Sequence, residues 1–478
     1  MVLDAPPSLN KSSGTIVFFH PDLGIGGAER LVVDAAVGLQ LRGHRVVVFT
    51  NHCDPKHCFD ECRNGTLDVR VRGASIVPMS VLGRLTILCA ILRHLHLLLA
   101  VFLTGELAAL GPRAFVVDQL SAGLPLMRYL FPRVPVLFYC HFPDLLLVQG
   151  RRSPLKRLYR VPFDWVEERS MRFAHAVAVN SDFTRGVVAR TWPTLANTVV
   201  TRVVYPCVDT SVQPPGVDEE EDKVTAAGRR LILSINRFER KKDIGLAIKA
   251  YAQIPPAERD GVRLVLAGGY DARVAENVAY HAQLQALAAS LSLEHHTLTP
   301  SKLSAVASLS AVPPSTQVLF LLSVPTDLKA ALLRSSRLLV YTPTNEHFGI
   351  VPLEAMLSRL PVLAANTGGP VETVADGLTG WLRDPHDVEA WSDVMRAVLQ
   401  MSDDQVRSMG DAGRLRVNAL FGRDKMAQAL HDALEEIIAM NPNTPPSLRF
   451  LVNLLALTSF VALTALSAAL AVHVLPLR

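Results

Sequence analysis

Few residues in this 478-residue chain could act as covalent staples. It has six cysteines, at 53, 58, 62, 89, 140 and 207, too sparse and irregular for a disulfide framework. Free thiols in a reducing compartment are expected. The stretch "NHCDPKHCFDEC" does gather His52, Cys53, His57, Cys58 and Cys62. No second ligand cluster follows at zinc-finger spacing, so no metal is expected there. A large excess of either charge is also lacking. A net charge of +4 argues against a nucleic-acid binder and against an acidic tail. No secretory leader is expected either: "TIVFFH" is too short for an apolar leader core, and no small-residue cleavage site follows it.

Apolar residues are plentiful, at 49% of the chain. Residues 450–472, "FLVNLLALTSFVALTALSAALAV", run without a charge, between Arg449 and the distant Arg478. Such a length can cross a bilayer as a helix, so a C-terminal transmembrane helix is expected. With no leader ahead of it, the preceding body should lie on the cytosolic side. A second apolar stretch, 85–107, is interrupted by Arg93, His94 and His96. It reads equally well as a helix lying in a membrane surface or as a covered helix of an α/β domain.

Strand-like runs alternate with helical periodicity along most of the chain, which indicates parallel sheets of Rossmann type. The first series is "TIVFFH", "HRVVVFT", "AFVVDQ", "VPVLFYC" and "HAVAVNS"; the second is "RLILSIN", "VRLVLAGG", "SRLLVYTP" and "LPVLAAN". Between them lies the acidic, proline-bearing "QPPGVDEEEDK" (213–223), a linker. Two α/β domains are therefore expected, at 14–212 and 224–440. A linker at 441–449 leads to the membrane segment, and 297–317 reads as a surface insertion.

Chemistry gathers at the turns that follow the strands. "GIGGAER" opens a helix after a strand, where free N–H groups favour phosphate. The third glycine of G-x-G-x-x-G and an acid at the tip of the second strand are both missing, which disfavours a nicotinamide site. Gly26 and Gly27 are thus either phosphate-admitting or simply a tight turn. "INRFERKKDI" places Arg237, Arg240, Lys241 and Lys242 after a strand, at the ligand edge of an open sheet, where cations can neutralise a diphosphate leaving group. In "NEHFGIVPLEAM", Glu346 and Glu354 lie eight positions apart. Unbroken helix would leave them about 80° apart around the axis. Gly349 and Pro352 argue instead for a loop carrying Glu346 and a helix opening near Pro352, with Glu354 in its first turn. There Glu354 could accept two adjacent hydroxyls, as a ribose presents. "NTGGPVETV" adds a further glycine-opened helix start. Together these features describe a sugar-nucleotide site.

The pair of glutamates, with Gly-Gly downstream and Arg…Lys upstream, resembles the retaining GT-B glycosyltransferases of family 4. "HPDLGIGGAERLVVDAA", "YCHFPD", "INRFERKKDI", "AGGYDARVAENVAY" and "YTPTNEHFGIVPLEAM" are similar to the Alg2-type mannosyltransferases of the dolichol pathway, over about 15–385 and loosely to about 440. The resemblance implies two Rossmann-like domains facing across a crevice, the first for acceptor and the second for donor. It implies transfer of mannose from GDP-mannose to Man-GlcNAc2-diphosphodolichol, α1,3 and then α1,6, with retention. No separate cofactor or metal is implied, in keeping with the lack of a D-x-D pair. The implied setting is the cytosolic face of the endoplasmic reticulum membrane. The implied partners are the donor, the lipid-linked acceptor, membrane lipid and other mannosyltransferases of the pathway, with no nucleic acid.

Carried over by motif, Glu346 meets the transferring mannose and Glu354 the ribose. Arg237 and Lys242 grip the diphosphate. Gly26 and Gly27 admit phosphate and acceptor, and His141 orients the sugar or stabilises its oxocarbenium-like charge. The backbone of Thr367, Gly368 and Gly369 reaches sugar and phosphate. The chain departs from much of the superfamily at Asp243, where glycine is common. The basic "RRSPLKRLYR" (151–160) either meets anionic headgroups and lipid diphosphate or is a solvated helix face. Rival readings are another family 4 transferase, using UDP-N-acetylglucosamine or adding later mannoses, and a catalytically silent GT-B binding module.

Overall fold

Runs of β-branched and aromatic residues build two seven-stranded sheets, each parallel throughout. In the first, Thr15–Asp22 (β1), Arg45–His52 (β2), Asp68–Val71 (β3), Pro112–Asp118 (β4), Val136–Cys140 (β5), Ala176–Val179 (β6) and Val200–Val203 (β7) take the order β3-β2-β1-β4-β5-β6-β7. In the second, Arg230–Ile235 (β8), Val262–Gly268 (β9), His295–Leu298 (β10), Val318–Leu322 (β11), Ser336–Tyr341 (β12), Val362–Ala365 (β13) and Gly380–Arg383 (β14) take the order β10-β11-β9-β8-β12-β13-β14. The computed structural model describes residues 14–80, 85–147, 154–210, 230–299 and 312–440. The expected transmembrane helix at 450–472, both expected linkers, the middle of 297–317 and residues 151–153 lie outside the described residues.

Helices of eight residues or more are Gly27–Leu41 (α1), Thr86–Leu103 (α2), Pro154–Met171 (α3), Asp182–Thr191 (α4), Ile244–Gln253 (α5), Ala275–Ser290 (α6), Thr326–Ser335 (α7), Ile350–Leu357 (α8), Val388–Gln400 (α9), Asp403–Leu420 (α10) and Arg423–Ala439 (α11). Helices on both faces bury the central strands, which is why these read as unbroken apolar runs. Phe19 stacks on Phe49 at 5.6 Å and meets Phe115 edge-on at 5.7 Å in the first core. Trp391, Tyr251 and Phe238 are wholly buried in the second.

Five strands escaped the sequence reading. β3, β7, β10 and β14 are edge strands, half wet and bearing polar residues. β11, "VLFLL", is fully buried, but it follows directly on the stretch read as an insertion. That stretch thus begins inside β10 and ends at the residue before β11.

The division of the chain also differs from the sequence reading. Among the described residues, those up to Tyr205 together with Arg423 to 440 form the first unit, and those between Pro206 and Gly422 form the second. Helical periodicity shows that 423–439 is a helix but not which core it joins. α11 lies along α1, where a Cβ on Gly38 would come within 2.7 Å of Ala427 Cβ. Arg423 Nε meets Asp34 at 3.1 Å, and Arg113 meets Glu435 at 2.7 Å.

The stretch at 85–107 contains a packed helix with a wet face. α2 is long and apolar enough to cross a membrane, yet Leu88, Arg93, His94, Leu97, Leu98 and Val101 are buried. Buried Arg93 is answered by Asp22 at 3.3 Å. Leu92, Leu99, Phe102 and Leu103 face outward.

Candidate active site

In an open parallel sheet, ligands bind at the carboxyl ends of the strands, where the strand order reverses. That point falls between β1 and β4 in the first sheet and between β8 and β12 in the second. Each unit brings a charged constellation to its own switch point.

In the first unit, Asp118 ends β4, His20 lies near the end of β1, and His141 follows β5. The Asp118 carboxylate is buried and bridges both rings: Oδ2 is 2.8 Å from His20 Nδ1 and Oδ1 is 2.6 Å from His141 Nε2. Beyond His20, Glu29 Oε1 lies 3.9 Å from Nε2. Burial alone would raise the pKa of Asp118, but the charge of His141 and the bonds from both rings hold it far below the carboxylate range. Burial would likewise lower the pKa of His141, but the Asp118 charge and hydrogen bond hold it above an ordinary histidine. His141 is therefore a ring disposed to be protonated.

Gly26 caps α1 and Gly27 begins it. A Cβ on Gly26 would fall 2.2 Å from Glu29 Oε2, whereas Gly27 faces open space. The glycine at 26 thus makes room for a carboxylate that complements the helix dipole. This puts negative charge at the turn read as phosphate-admitting.

In the second unit, the four cations of the run after β8 point different ways, with Arg240 over the Tyr280 ring at 6.0 Å. Arg237 Nη1 and Lys241 Nζ share the Glu239 carboxylate, at 2.8 Å and 3.0 Å, and both side chains are more than half exposed. The Lys242 side chain, only 13% exposed, turns inward to Glu346 Oε2 at 2.5 Å. Thr342 Oγ1 donates to the Lys242 carbonyl at 2.7 Å and fixes the turn. Asp243, the departure from glycine, has φ +43, the left-handed conformation that glycine adopts freely and aspartate tolerates.

Burial pushes the Glu346 carboxyl up, but the charge and hydrogen bond of Lys242, with a bond to Tyr341, lower it overall. Gly349, at φ +86, ends the loop and caps α8. The helix starts at Ile350, so Pro352 lies in its first turn and Glu354 just beyond it, rather than within it. Lys329 of α7 sits against Glu354, with Nζ 2.7 Å from Oε1 and 2.6 Å from Oε2.

The Thr-Gly-Gly segment braces this loop. Gly369 N–H donates to the Glu346 carbonyl at 2.8 Å, and Thr367 Oγ1 donates to the Thr344 carbonyl. A Cβ at 368 would lie 2.6 Å from Glu346 O, and one at 369 would lie 2.2 Å from Phe348 Cα. Close backbone approach is what requires glycine at both positions. Beside the loop, at the carboxyl ends of β8, β9 and β11, a pocket of about 640 Å³ is lined by Arg237, Gly268, Gly269, Tyr270, Ser323 and Lys329.

Sequence reasoning missed His20, Asp118, Tyr341 and Lys329. Asp118 carried a signal, since an acid closes the apolar run "AFVVD" at a ligand edge. Lys329 carried none, because helical periodicity does not single out one lysine. As for metals, burial pushes the Cys53 thiol up to about 12 and Cys62 up to about 11, with neighbouring thiols adding to the shift. Without a bound metal, both thiols stay protonated at neutral pH. Among the described residues, His44, His431 and Glu435 do come within ligating distance of one another. They lie at the amino edge of the first sheet, since His44 directly precedes β2.

The chain is also similar to known proteins. Residues 25–212 match the Glycosyltransferase Family 4 model. Residues 217–311 and 306–416 match Glycosyl transferases group 1. The alpha-1,3/1,6-mannosyltransferase alg-2 of Neurospora crassa is 59% identical over 434 residues, 89% of this chain and 91% of that protein. The ALG2 enzyme of Saccharomyces cerevisiae is 43% identical over 90% of this chain and 86% of its own length. Among solved structures, a sucrose-phosphate synthase from Thermosynechococcus elongatus superposes with a TM-score of 0.66 at 20% identity, covering 89% of this chain and all of its own. Anabaena HepE in complex with UDP and glucose gives 0.61 at 19%, covering 88% and 100%. These two share the GT-B fold. Identity at this level over nine-tenths of the chain makes it a member of the Alg2-type alpha-1,3/1,6-mannosyltransferases, within GT-B glycosyltransferase family 4.

Proposed function

We propose that the enzyme moves mannose from GDP-mannose to Man-GlcNAc2-diphosphodolichol, first in α1,3 and then in α1,6 linkage. The proposed setting is the cytosolic face of the endoplasmic reticulum membrane, with retention at the anomeric carbon. The observation that most supports this reading is the inward Lys242–Glu346 pair at the β8/β12 switch point. It joins the cation suited to a departing diphosphate to the carboxylate suited to sugar hydroxyls. Arg237 and Lys329, on the wall of the adjoining pocket, add positive charge where GDP would leave. Such preorganised charge favours the transition state over the ground state. Glu354 takes the ribose hydroxyls.

Retention follows from attack on the face the diphosphate leaves, with the freed phosphate oxygen taking the acceptor proton. His141 serves the first unit's side of the reaction. Because Asp118 favours its protonated form, the ring suits donation to a sugar hydroxyl or phosphate oxygen. A cation is poorly suited to stabilising an oxocarbenium ion, so orientation is the better of its two implied roles.

With cationic side chains supplying the charge, turnover is expected to continue in EDTA. Donor competition tests the reading. Solubilised protein offered GDP-mannose and UDP-N-acetylglucosamine together should add hexose alone, read as product mass. Transfer of N-acetylhexosamine would overturn it.

A further inference from the structure

Two histidines and a glutamate meet at the amino edge of the first sheet, opposite the edge that carries Asp118 and His141. His44 directly precedes β2, while His431 and Glu435 belong to α11. Four residues of helix turn through about 400°, so His431 and Glu435 share one face of α11. The buried His44 places its Nε2 2.9 Å from His431 Nδ1. Glu435 Oε1 lies 4.0 Å from the same Nδ1. One ligand atom from each of the three residues lies within 4.8 Å of the other two.

Hydrogen bonds alone hold this cluster weakly. Two facing imidazole nitrogens can share only one proton. His44 Nδ1 is buried and has no hydrogen-bond partner among the described residues, so whatever fixes this ring acts through Nε2. A cation between the three groups would give each nitrogen a full bond. The carboxylate is already aimed for that: Arg113 holds Glu435 Oε2 at 2.7 Å, which leaves Oε1 turned toward His431. An outer partner that orients a ligating carboxylate is the usual arrangement around a metal. Arg42, the other arginine that acts on His44, is paired with Asp424 at 2.8 Å.

The spacing and the ligand types select the ion. Bonds of about 2.0–2.1 Å to zinc set tetrahedral neighbours about 3.3–3.4 Å apart. The observed 2.9 Å and 4.0 Å lie on either side of that separation. The side chains of His431 and Glu435 are 30% and 36% exposed, so both can adjust and an ion can enter from solvent. Two imidazoles and one carboxylate suit zinc and its transition-metal neighbours, whereas magnesium and calcium take oxygen ligands.

We propose that His44, His431 and Glu435 bind one divalent ion of the zinc class, with water as the fourth ligand, and that the ion clips α11 to the start of β2. It ties together residues 387 positions apart and secures the helix that rejoins the first core at the end of the described chain. It takes no part in transfer. Arg113, beside the site, and Asp118, at the reacting edge, are five residues apart on β4, about 16 Å.

The test uses the untagged full chain in detergent, stripped with a chelator and titrated with zinc. Binding is read by competition with a chromophoric chelator, and stability by melting. Expected is one zinc per chain, unaffected by millimolar magnesium. The melting temperature should rise by roughly 5 °C or more once free zinc exceeds the dissociation constant about a hundredfold. His431→Ala and Glu435→Gln, both at partly exposed positions, should each weaken binding at least about tenfold. Cys53→Ser, Cys58→Ser and Cys62→Ser combined should leave it unchanged. Zinc uptake lost in the cysteine variant but kept in His431→Ala would assign the ion to the thiols and overturn the proposal. No uptake by the folded wild-type chain, or uptake that neither His431→Ala nor Glu435→Gln weakens, overturns it as well. Each of these results leaves the mannosyltransferase reading intact.

Discussion

Asp118 Oδ1 lies 2.6 Å from His141 Nε2, while its other oxygen holds His20 at 2.8 Å. One buried carboxylate thus fixes the His141 ring and favours its charged form. If protonated His141 serves the reaction, the alkaline limb of the kcat/KM profile should have its midpoint above the ordinary histidine value of about 6.5. Asp118→Asn keeps the shape but removes the charge, so the midpoint should move down. A profile that loses height with no change of midpoint would make Asp118 purely structural.

Lys242 and Glu346 should be separable as partners in stability and in turnover. Lys242→Met leaves a largely buried carboxylate without its counter-charge, a loss of about 3 kcal/mol when such a pair is broken. The Lys242→Met/Glu346→Gln double variant should regain most of the melting temperature. It should still lack the roughly hundredfold or greater turnover that the pair provides. Recovery of both properties together would leave the pair no role in transfer.

Gly369→Ala places a Cβ 2.2 Å from Phe348 Cα, which backbone must shift to accept. Glu346 would move with it, and a displacement near 1 Å is enough for about a hundredfold loss of rate. Circular dichroism should show the fold retained while kcat falls. A fully active Gly369→Ala enzyme would contradict the bracing role.

His94 is buried in α2, and neither ring nitrogen has a hydrogen-bond partner among the described residues. Burial lowers its pKa to about 4. The unfolded chain, at about 6.5, therefore binds the proton more readily. Its neutral form supports stability fully above about pH 6.5, and that support fades as pH falls toward 4, by roughly 3 kcal/mol. Melting curves between pH 7.5 and 4.5 should fall less steeply for His94→Leu than for the wild type. Parallel slopes would show that His94 plays no part.

The residues that were legible in sequence are those whose chemistry and local order point the same way. Lys242 follows an apolar strand, and Glu346 follows another with a glycine and a proline behind it. Both lie at the carboxyl edge where such motifs bind ligands. The Gly368–Gly369 pair was read as a phosphate-binding helix start, but its N–H at 369 is taken by Glu346. Local sequence shows where backbone must come close, not to what. His20 and Asp118 are 98 residues apart, and Lys329 meets Glu354 from another helix. Only the sheet order brings such pairs together. α11 was misplaced for the same reason, since Gly38 and Ala427 give no sign in sequence that they touch.

The most direct test is product mass from solubilised protein given GDP-mannose and a short-chain lipid-diphosphate-GlcNAc2-Man acceptor, with and without EDTA, beside Glu346→Ala. Two added hexoses, unchanged by EDTA and absent from the variant, are predicted. A single hexose, dependence on added metal, or full activity in Glu346→Ala would contradict one metal-free site built on Lys242 and Glu346.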